Sequence, residues 1–220
     1  MEVKSQRATA ESPKGGATEQ RGTCLKRSNS AGVFFLQWLR DPGRMGSVVP
    51  TSRHMARVIA RQIPPEAHHD TLPVVELGGG TGAVTEAILE TGLPAKRLII
   101  LERDPGLSEL LRARFPGTTV ICGDATELTA LLAERGVTRA AAVVSGLPLL
   151  LFPPEALRKV VEGCFSLLNR SRPVIQFTYG LKSPIPLDIH NLSGQRKRVW
   201  RNIPPAFVWT FRRRGPTPAS

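Results

Sequence analysis

The chain has 220 residues, 41% of them hydrophobic and 5% aromatic, with a formal net charge of +12. That length suits one domain with appendages, and that charge points to an anionic partner, either nucleic acid or an acidic membrane surface. Cys24, Cys122 and Cys164 lie far apart with no CxxC and no histidine set nearby, which argues against a disulfide framework or a metal site and for a reducing cytoplasm.

Residues 1–29 are polar, mildly basic and rich in small side chains, the composition of a disordered arm. Val33, Phe34, Phe35, Leu36, Trp38 and Leu39 then form a dense apolar cluster that Asp41-Pro42-Gly43 stops, which predicts a short helix. The next helix starts at Ser52 as N-cap and carries Met55, Val58, Ile59 and Ile63 at helical spacing until Pro64-Pro65. Arg53, Arg57 and Arg61 make a basic stripe on another face. Residues 30–65 are therefore read as a pair of amphipathic helices preceding a domain that spans 66–214, with 215–220 as a tail.

From residue 73 the pattern alternates. Apolar, β-branched runs at 73–77, 97–102, 118–123, 140–145 and 173–180 are separated by helical stretches. Such runs predict a mostly parallel sheet covered by helices on both faces, an α/β Rossmann-like fold. The run 196–214, divided by Asn202-Ile203-Pro204-Pro205, predicts a terminal antiparallel hairpin. The longest apolar stretch, 140–152, holds Ser145, Gly146 and Pro148 and is too short to span a bilayer. The N-terminus carries no apolar signal-peptide core.

The first strand runs into Gly78, Gly79, Gly80, Thr81 and Gly82. Strand, glycine loop and helix form a phosphate or nucleotide cradle, but Ala83 stands where the dinucleotide fingerprint has its last glycine, and no lysine follows as in a P-loop. Glu76, two residues before the first glycine, would repel a pyrophosphate and attract a ligand carrying an ammonium and a sulfonium. That points to S-adenosylmethionine, with S-adenosylhomocysteine as the expected product. Glu102, about twenty residues past the loop at the end of the second strand, is placed to take both ribose hydroxyls. Asp124, at the end of the third, is placed to receive the adenine amino group. Each acid also has a structural reading, since Glu102 and Asp124 can cap the helices that follow them.

The stretches ELGGGTG, LERD and GDA resemble the motifs of class I methyltransferases. The resemblance implies a seven-stranded sheet in the order 3-2-1-4-5-7-6, no metal, and cofactor contacts from Glu76, the loop 78–82, Glu102, Arg103, Asp124, Ala125 and Ser145. The fourth strand ends in Ser145, Gly146, Leu147 and Pro148, the acceptor-binding position. Methyltransferases acting on nucleic-acid amines carry a strong polar acceptor there and an aromatic residue that stacks on a flipped base. Here Leu149 stands at the aromatic position, which argues against nucleic acid and for a lipid-like slot.

Over residues 31–214 the chain is similar to bacterial phospholipid N-methyltransferases, which convert phosphatidylethanolamine stepwise to phosphatidylcholine. The stretches GSVVPTSRHMARVI, ELGGGTGAVTEAIL, VVSGLPLL, QFTYG and VWRNIPPAFVW carry the likeness. Relatives that methylate ornithine lipids share much of it, and the rRNA adenine dimethylases share the Leu-Pro turn. One departure is Gly79 in place of the family's proline, expected to loosen the loop. The resemblance implies a monomeric enzyme, peripheral on the inner face of the cytoplasmic membrane. Phe34, Phe35 and Trp38 would lie in the interface, and Arg53, Arg57 and Arg61 would face anionic lipid. Tyr179, the single tyrosine, and Ser145 are the candidate catalytic residues, and Gly146, Leu147, Pro148 and Tyr179 the candidate substrate contacts. His190 is a further candidate for proton transfer, and His68-His69 read as a surface pair.

Overall fold

A computed structural model describes residues 51–178, 182–187, 191–199 and 206–214. Tyr179, His190, Phe34, Phe35, Trp38 and Cys24 lie outside them.

Seven strands form one sheet: β1 (Val74–Leu77), β2 (Leu98–Glu102), β3 (Thr119–Cys122), β4 (Ala142–Ser145), β5 (Val174–Thr178), β6 (Leu192–Val199) and β7 (Ala206–Arg213). Their order is β3-β2-β1-β4-β5-β7-β6, as the class I resemblance implies. β1 to β5 are mutually parallel, and β7 runs against β5 and β6. β1 has β2 on one side and β4 on the other, so the chain reverses its direction of progress there. That switch point is where an open α/β sheet leaves a crevice at its carboxyl edge.

The helices α1 (Arg53–Ala60), α2 (Glu66–His69), α3 (Ala83–Glu90), α4 (Pro105–Arg114), α5 (Leu128–Ala133) and α6 (Pro154–Ser166) cover both faces. Residues of α1, α3 and α4 (Met55, Ile59, Ile88 and Leu111) share one apolar cluster with Val74, Ile100 and Ile175. Residues of α5 and α6 share the other, with Leu77, Val143 and Phe211. β1, β2 and β4 are buried along their whole length, because parallel strands carry helices on both sides.

The N-cap of α1 is as expected: Ser52 Oγ accepts from the Met55 amide at 3.2 Å. The helix ends at Ala60 rather than reaching Pro64. The amides of Gln62 and Ile63 bond three residues back, to Ile59 and Ala60, so a tightened last turn brings Ile63 into the core before the prolines. Thr91 receives His68, whose Nε2 lies 2.8 Å from the Thr91 hydroxyl; the histidine is half-buried on α2 rather than part of a surface pair. The first strand of the hairpin, β6, begins at Leu192, earlier than the basic run predicts, because the pairing of Leu192 and Gly194 with Arg213 and Phe211 extends the ladder.

Candidate active site

The glycine loop sits at the carboxyl end of β1, beside the switch point. The Gly78 amide donates to the Leu101 carbonyl at 2.8 Å and ties the loop's start to β2. At its far end Gly82 caps α3 and accepts from the Glu86 amide at 2.9 Å. Arg114 braces the outside, donating to the Thr81 carbonyl at 2.7 Å and pairing with Glu86 at 3.0 Å. Gly80 has φ +55°, and a Cβ built there would meet nothing within 4 Å. The loop thus turns a bare backbone toward open space, where a ligand can approach.

Gly79 does not loosen the loop. A Cβ there would lie 2.6 Å from Ile100 Cγ2 and 2.8 Å from Leu111 Cδ1. Both side chains are fully buried, so the missing side chain is what lets this loop settle onto β2 and α4.

The three acids lie at the ends of the three strands, in different environments. Glu76 is 1% exposed, beneath the loop. Its Oε2 accepts from the Thr85 hydroxyl at 2.7 Å, and its Oε1 has no partner among the described residues. Burial pushes this carboxyl up to about 8, and the nearby Glu102 charge adds to the effect, against the Thr85 hydrogen bond. Glu102, 3% exposed, is held by two backbone amides: Gly80 donates to Oε2 and Asp104 to Oε1, each at 2.9 Å. A carboxylate oxygen accepts more than one hydrogen bond, so both oxygens keep capacity for a diol.

Asp124 caps the 3-10 turn that Ala125 opens. Its Oδ1 accepts from the Thr126 amide at 2.9 Å and the Thr126 hydroxyl at 2.8 Å. Its Oδ2 lies 3.7 Å from Arg103. The capping role and an outward-facing oxygen coexist in one side chain.

At the next strand end, Ser145 is 1% exposed and its Oγ accepts from the Leu147 amide at 3.3 Å. The Gly146 amide donates to the Leu77 carbonyl at 2.8 Å, and a Cβ at Gly146 would lie 2.9 Å from the Gly78 carbonyl oxygen. The acceptor turn therefore rests directly on the glycine loop. Leu147 and Leu149 are buried, while Leu150 and Leu151 just beyond are 47% and 66% exposed. Gln176 of β5, which sequence reasoning left inside a motif with no role of its own, donates from Nε2 to the Leu147 carbonyl at 2.9 Å. Thr85 and Arg114 were also missed. Thr85 lies one helical turn past the loop and was legible as a helix-start hydroxyl; Arg114 has no local signal.

The structure thus brings together the loop, Glu76, Glu102, Arg103, Asp124, Ala125 and the turn 145–148. Arg53 and Arg57 are exposed on α1 and Arg61 just past its end, and Arg57 is paired with Glu90 at 2.8 Å. No helix among the described residues is long and apolar enough to cross a membrane. Those residues also hold no cluster of three or more His, Cys, Asp or Glu fit for a metal.

No protein-family model matches the chain. It is 40% identical over 149 residues to an ornithine lipid N-methyltransferase of Singulisphaera acidiphila, covering 66% of this chain and 76% of that one. The chain belongs to the same methyltransferase family. It is also 45% identical over 65 residues to a probable ribosomal RNA small subunit methyltransferase A of Natronomonas pharaonis, though only 23% of that protein is covered. Among solved structures it resembles a Burkholderia thailandensis 1,6-didemethyltoxoflavin-N1-methyltransferase bound to S-adenosylhomocysteine, with a TM-score of 0.59 at 17% identity over 87% of this chain and 94% of that one. That last likeness bears on fold. The Singulisphaera relative, by its name, matches the ornithine-lipid alternative that the sequence offered beside phosphatidylethanolamine.

The residues of this methyltransferase fit S-adenosylmethionine. Glu76 Oε1 is a buried acceptor awaiting a donor, and an ammonium supplies one together with a compensating charge. Gly80 leaves room beside Glu102 for a ribose. When bound, the cofactor supplies a methyl group made electrophilic by a sulfonium. The methyltransferase itself contributes position: a braced loop, an oriented carboxylate and an apolar wall that excludes water.

Proposed function

We propose that this methyltransferase acts on the primary amine of an ornithine lipid at a membrane surface. The observation that carries the reading is the 40% identity over 149 residues to an enzyme of that name. The acceptor slot supports it. Gly146 stands where amine-modifying nucleic-acid enzymes place a polar side chain, and Leu149 is buried where they place an aromatic platform. The exposed Leu150 and Leu151 extend the same apolar wall outward, which suits acyl chains better than a base. The amine arrives as an ammonium, so a proton leaves before attack; Tyr179, next after the last described residue of β5, and water are the candidate acceptors.

The remaining membrane reading is proposed on sequence and charge. The segment holding Phe34, Phe35 and Trp38 supplies an interfacial anchor, and the exposed Arg196, Lys197 and Arg198 of β6 supply cations for anionic lipid. On this reading the enzyme works as a peripheral protein on the cytoplasmic face of the membrane, and a monomer is proposed as its state in solution.

The deciding experiment supplies pure protein with methyl-labelled cofactor and, separately, vesicles of ornithine lipid, vesicles of phosphatidylethanolamine and structured RNA. Label is expected chiefly in ornithine lipid. Preferential label in phosphatidylethanolamine would move the substrate to the phospholipid, and label in RNA would favour the reading that the local ribosomal RNA methyltransferase match supports.

A further inference from the structure

Gln176 is 1% exposed, and its neighbours dictate how its carboxamide is oriented. Nε2 donates to the Leu147 carbonyl at 2.9 Å and to the Phe177 carbonyl at 2.8 Å. The reverse orientation would set an oxygen against two carbonyls, so Oε1 is the atom left over. Oε1 is buried and has no partner among the described residues, an arrangement that costs free energy unless a donor meets it.

The carboxamide that carries that oxygen is bonded to the acceptor turn. Gln176 pairs in register with Ser145, and the two residues hold Leu147 from both sides: Ser145 Oγ takes its amide and Gln176 Nε2 its carbonyl. Leu147 and Leu149 of that turn are buried in one apolar cluster with Trp209, the residue opposite Gln176. An acceptor-only atom beside such a cluster is complementary to an N–H.

We propose that Gln176 is a specificity-determining residue of the acceptor slot, its Oε1 accepting a hydrogen bond from an N–H of the amine about to be methylated. The proposal rests on the aminolipid reading above. In the transfer the nitrogen lone pair forms the new C–N bond while the C–S bond breaks and its electrons pass to sulfur. The lone pair points at the methyl carbon, so the bond to Gln176 must come from another substituent. A primary amine offers two such hydrogens, a monomethyl amine one and a dimethyl amine none. Gln176 therefore favours the first two rounds and disfavours the third. An amide oxygen is too weak a base to take the proton, which leaves by another route.

Trp209 offers the competing explanation. It lies opposite Gln176 in β7, and its Nε1 is likewise buried without a partner. Donation from Nε1 to Oε1 would make the pair purely structural.

The test uses the full chain with vesicles carrying ornithine lipid, its N-monomethyl form or its N,N-dimethyl form, and reads kcat/KM for each, with S-adenosylhomocysteine affinity by calorimetry as control. Wild type should lose on the order of tenfold between the monomethyl and dimethyl forms, the worth of one hydrogen bond. Gln176→Leu should flatten that step while leaving S-adenosylhomocysteine affinity unchanged. Gln176→Glu, which keeps an acceptor oxygen but removes both donors from the turn, should be slower with every acceptor and retain the step. Trp209→Phe should retain it too. The proposal is overturned if wild type shows no step, if Gln176→Leu keeps it, if Gln176→Glu loses it, or if Trp209→Phe abolishes it. Wild type that binds S-adenosylhomocysteine yet methylates none of the three lipids would instead overturn the substrate reading, and the proposal with it.

Discussion

The Gly80 amide and the Glu102 carboxylate, 22 residues apart in sequence, are joined by a hydrogen bond of 2.9 Å. The tip of the glycine loop and the acid at the end of β2 are thereby one unit, preset before any ligand arrives. A second amide, from Asp104, holds the other oxygen, so the carboxylate has little freedom to lose on binding.

Glu102→Ala should therefore weaken S-adenosylhomocysteine by about ten- to a hundredfold, the usual worth of hydrogen bonds to a charged group. Calorimetry reads this directly. Vesicle sedimentation should be unchanged, because the cations of β6 sit at the other edge of the sheet from the β2 end that carries Glu102; an equal loss of both would show that the two sites are not separate.

Glu76 makes the protein's response to pH specific. Its carboxyl is raised from 4.5 to about 8, chiefly by burial. The folded ligand-free protein then holds a proton that the unfolded chain gives up. Stability from this group is complete below about pH 4.5 and is lost as pH rises through about 8. Thermal midpoints of the ligand-free protein should fall across that window, and Glu76→Gln should flatten the dependence.

The same group links binding to protons. An ammonium beside Oε1 favours the ionised carboxylate, so cofactor binding near neutral pH should release a proton. Calorimetry in two buffers of different ionisation enthalpy should show that release in wild type and not in Glu76→Gln. No difference between the two proteins would place the cofactor's amine away from Glu76.

Two adjacent glycines should fail for different reasons. Gly79→Ala drives a Cβ against Ile100 and Leu111, and overpacking of this kind costs about 1–3 kcal/mol. Denaturant unfolding should show it. Gly80→Ala meets no atom within 4 Å but must hold φ +55°, a strain of about 1–2 kcal/mol. Its larger effect should be on cofactor affinity, because the new methyl occupies the ligand's side of the loop.

Membrane association is expected to depend on charge and on the aromatic segment together. Raising salt, or replacing Phe34 and Trp38 by Ser, should release the protein from anionic vesicles. Unchanged sedimentation in both cases would remove those residues as the anchor.

Much of this fold was legible in the chain. The apolar runs at β1, β2 and β4 could be read because a parallel strand buried on both faces needs nearly every side chain apolar, a local pattern; the partly exposed β3 was legible from its β-branched residues. The acids Glu76, Glu102 and Asp124 were legible for a related reason: a carboxylate at the end of an apolar strand stands out against its neighbours. The redundancy of Asp124, cap and candidate ligand contact at once, was visible only as an ambiguity.

What the sequence by itself determined was the alternation of strand and helix, the glycine loop and the row of acids, since each depends on neighbours a few residues away. Tertiary structure alone decided the rest. Whether Gly79 loosens or tightens the loop depends on Ile100 and Leu111, which approach from β2 and α4. Whether Glu76 is ionised depends on burial beneath a loop and a helix. That Gln176 belongs to the acceptor turn depends on the β4–β5 register, which sets it beside Ser145. Close packing and desolvation are set by atoms distant in the chain, and no local pattern encodes them.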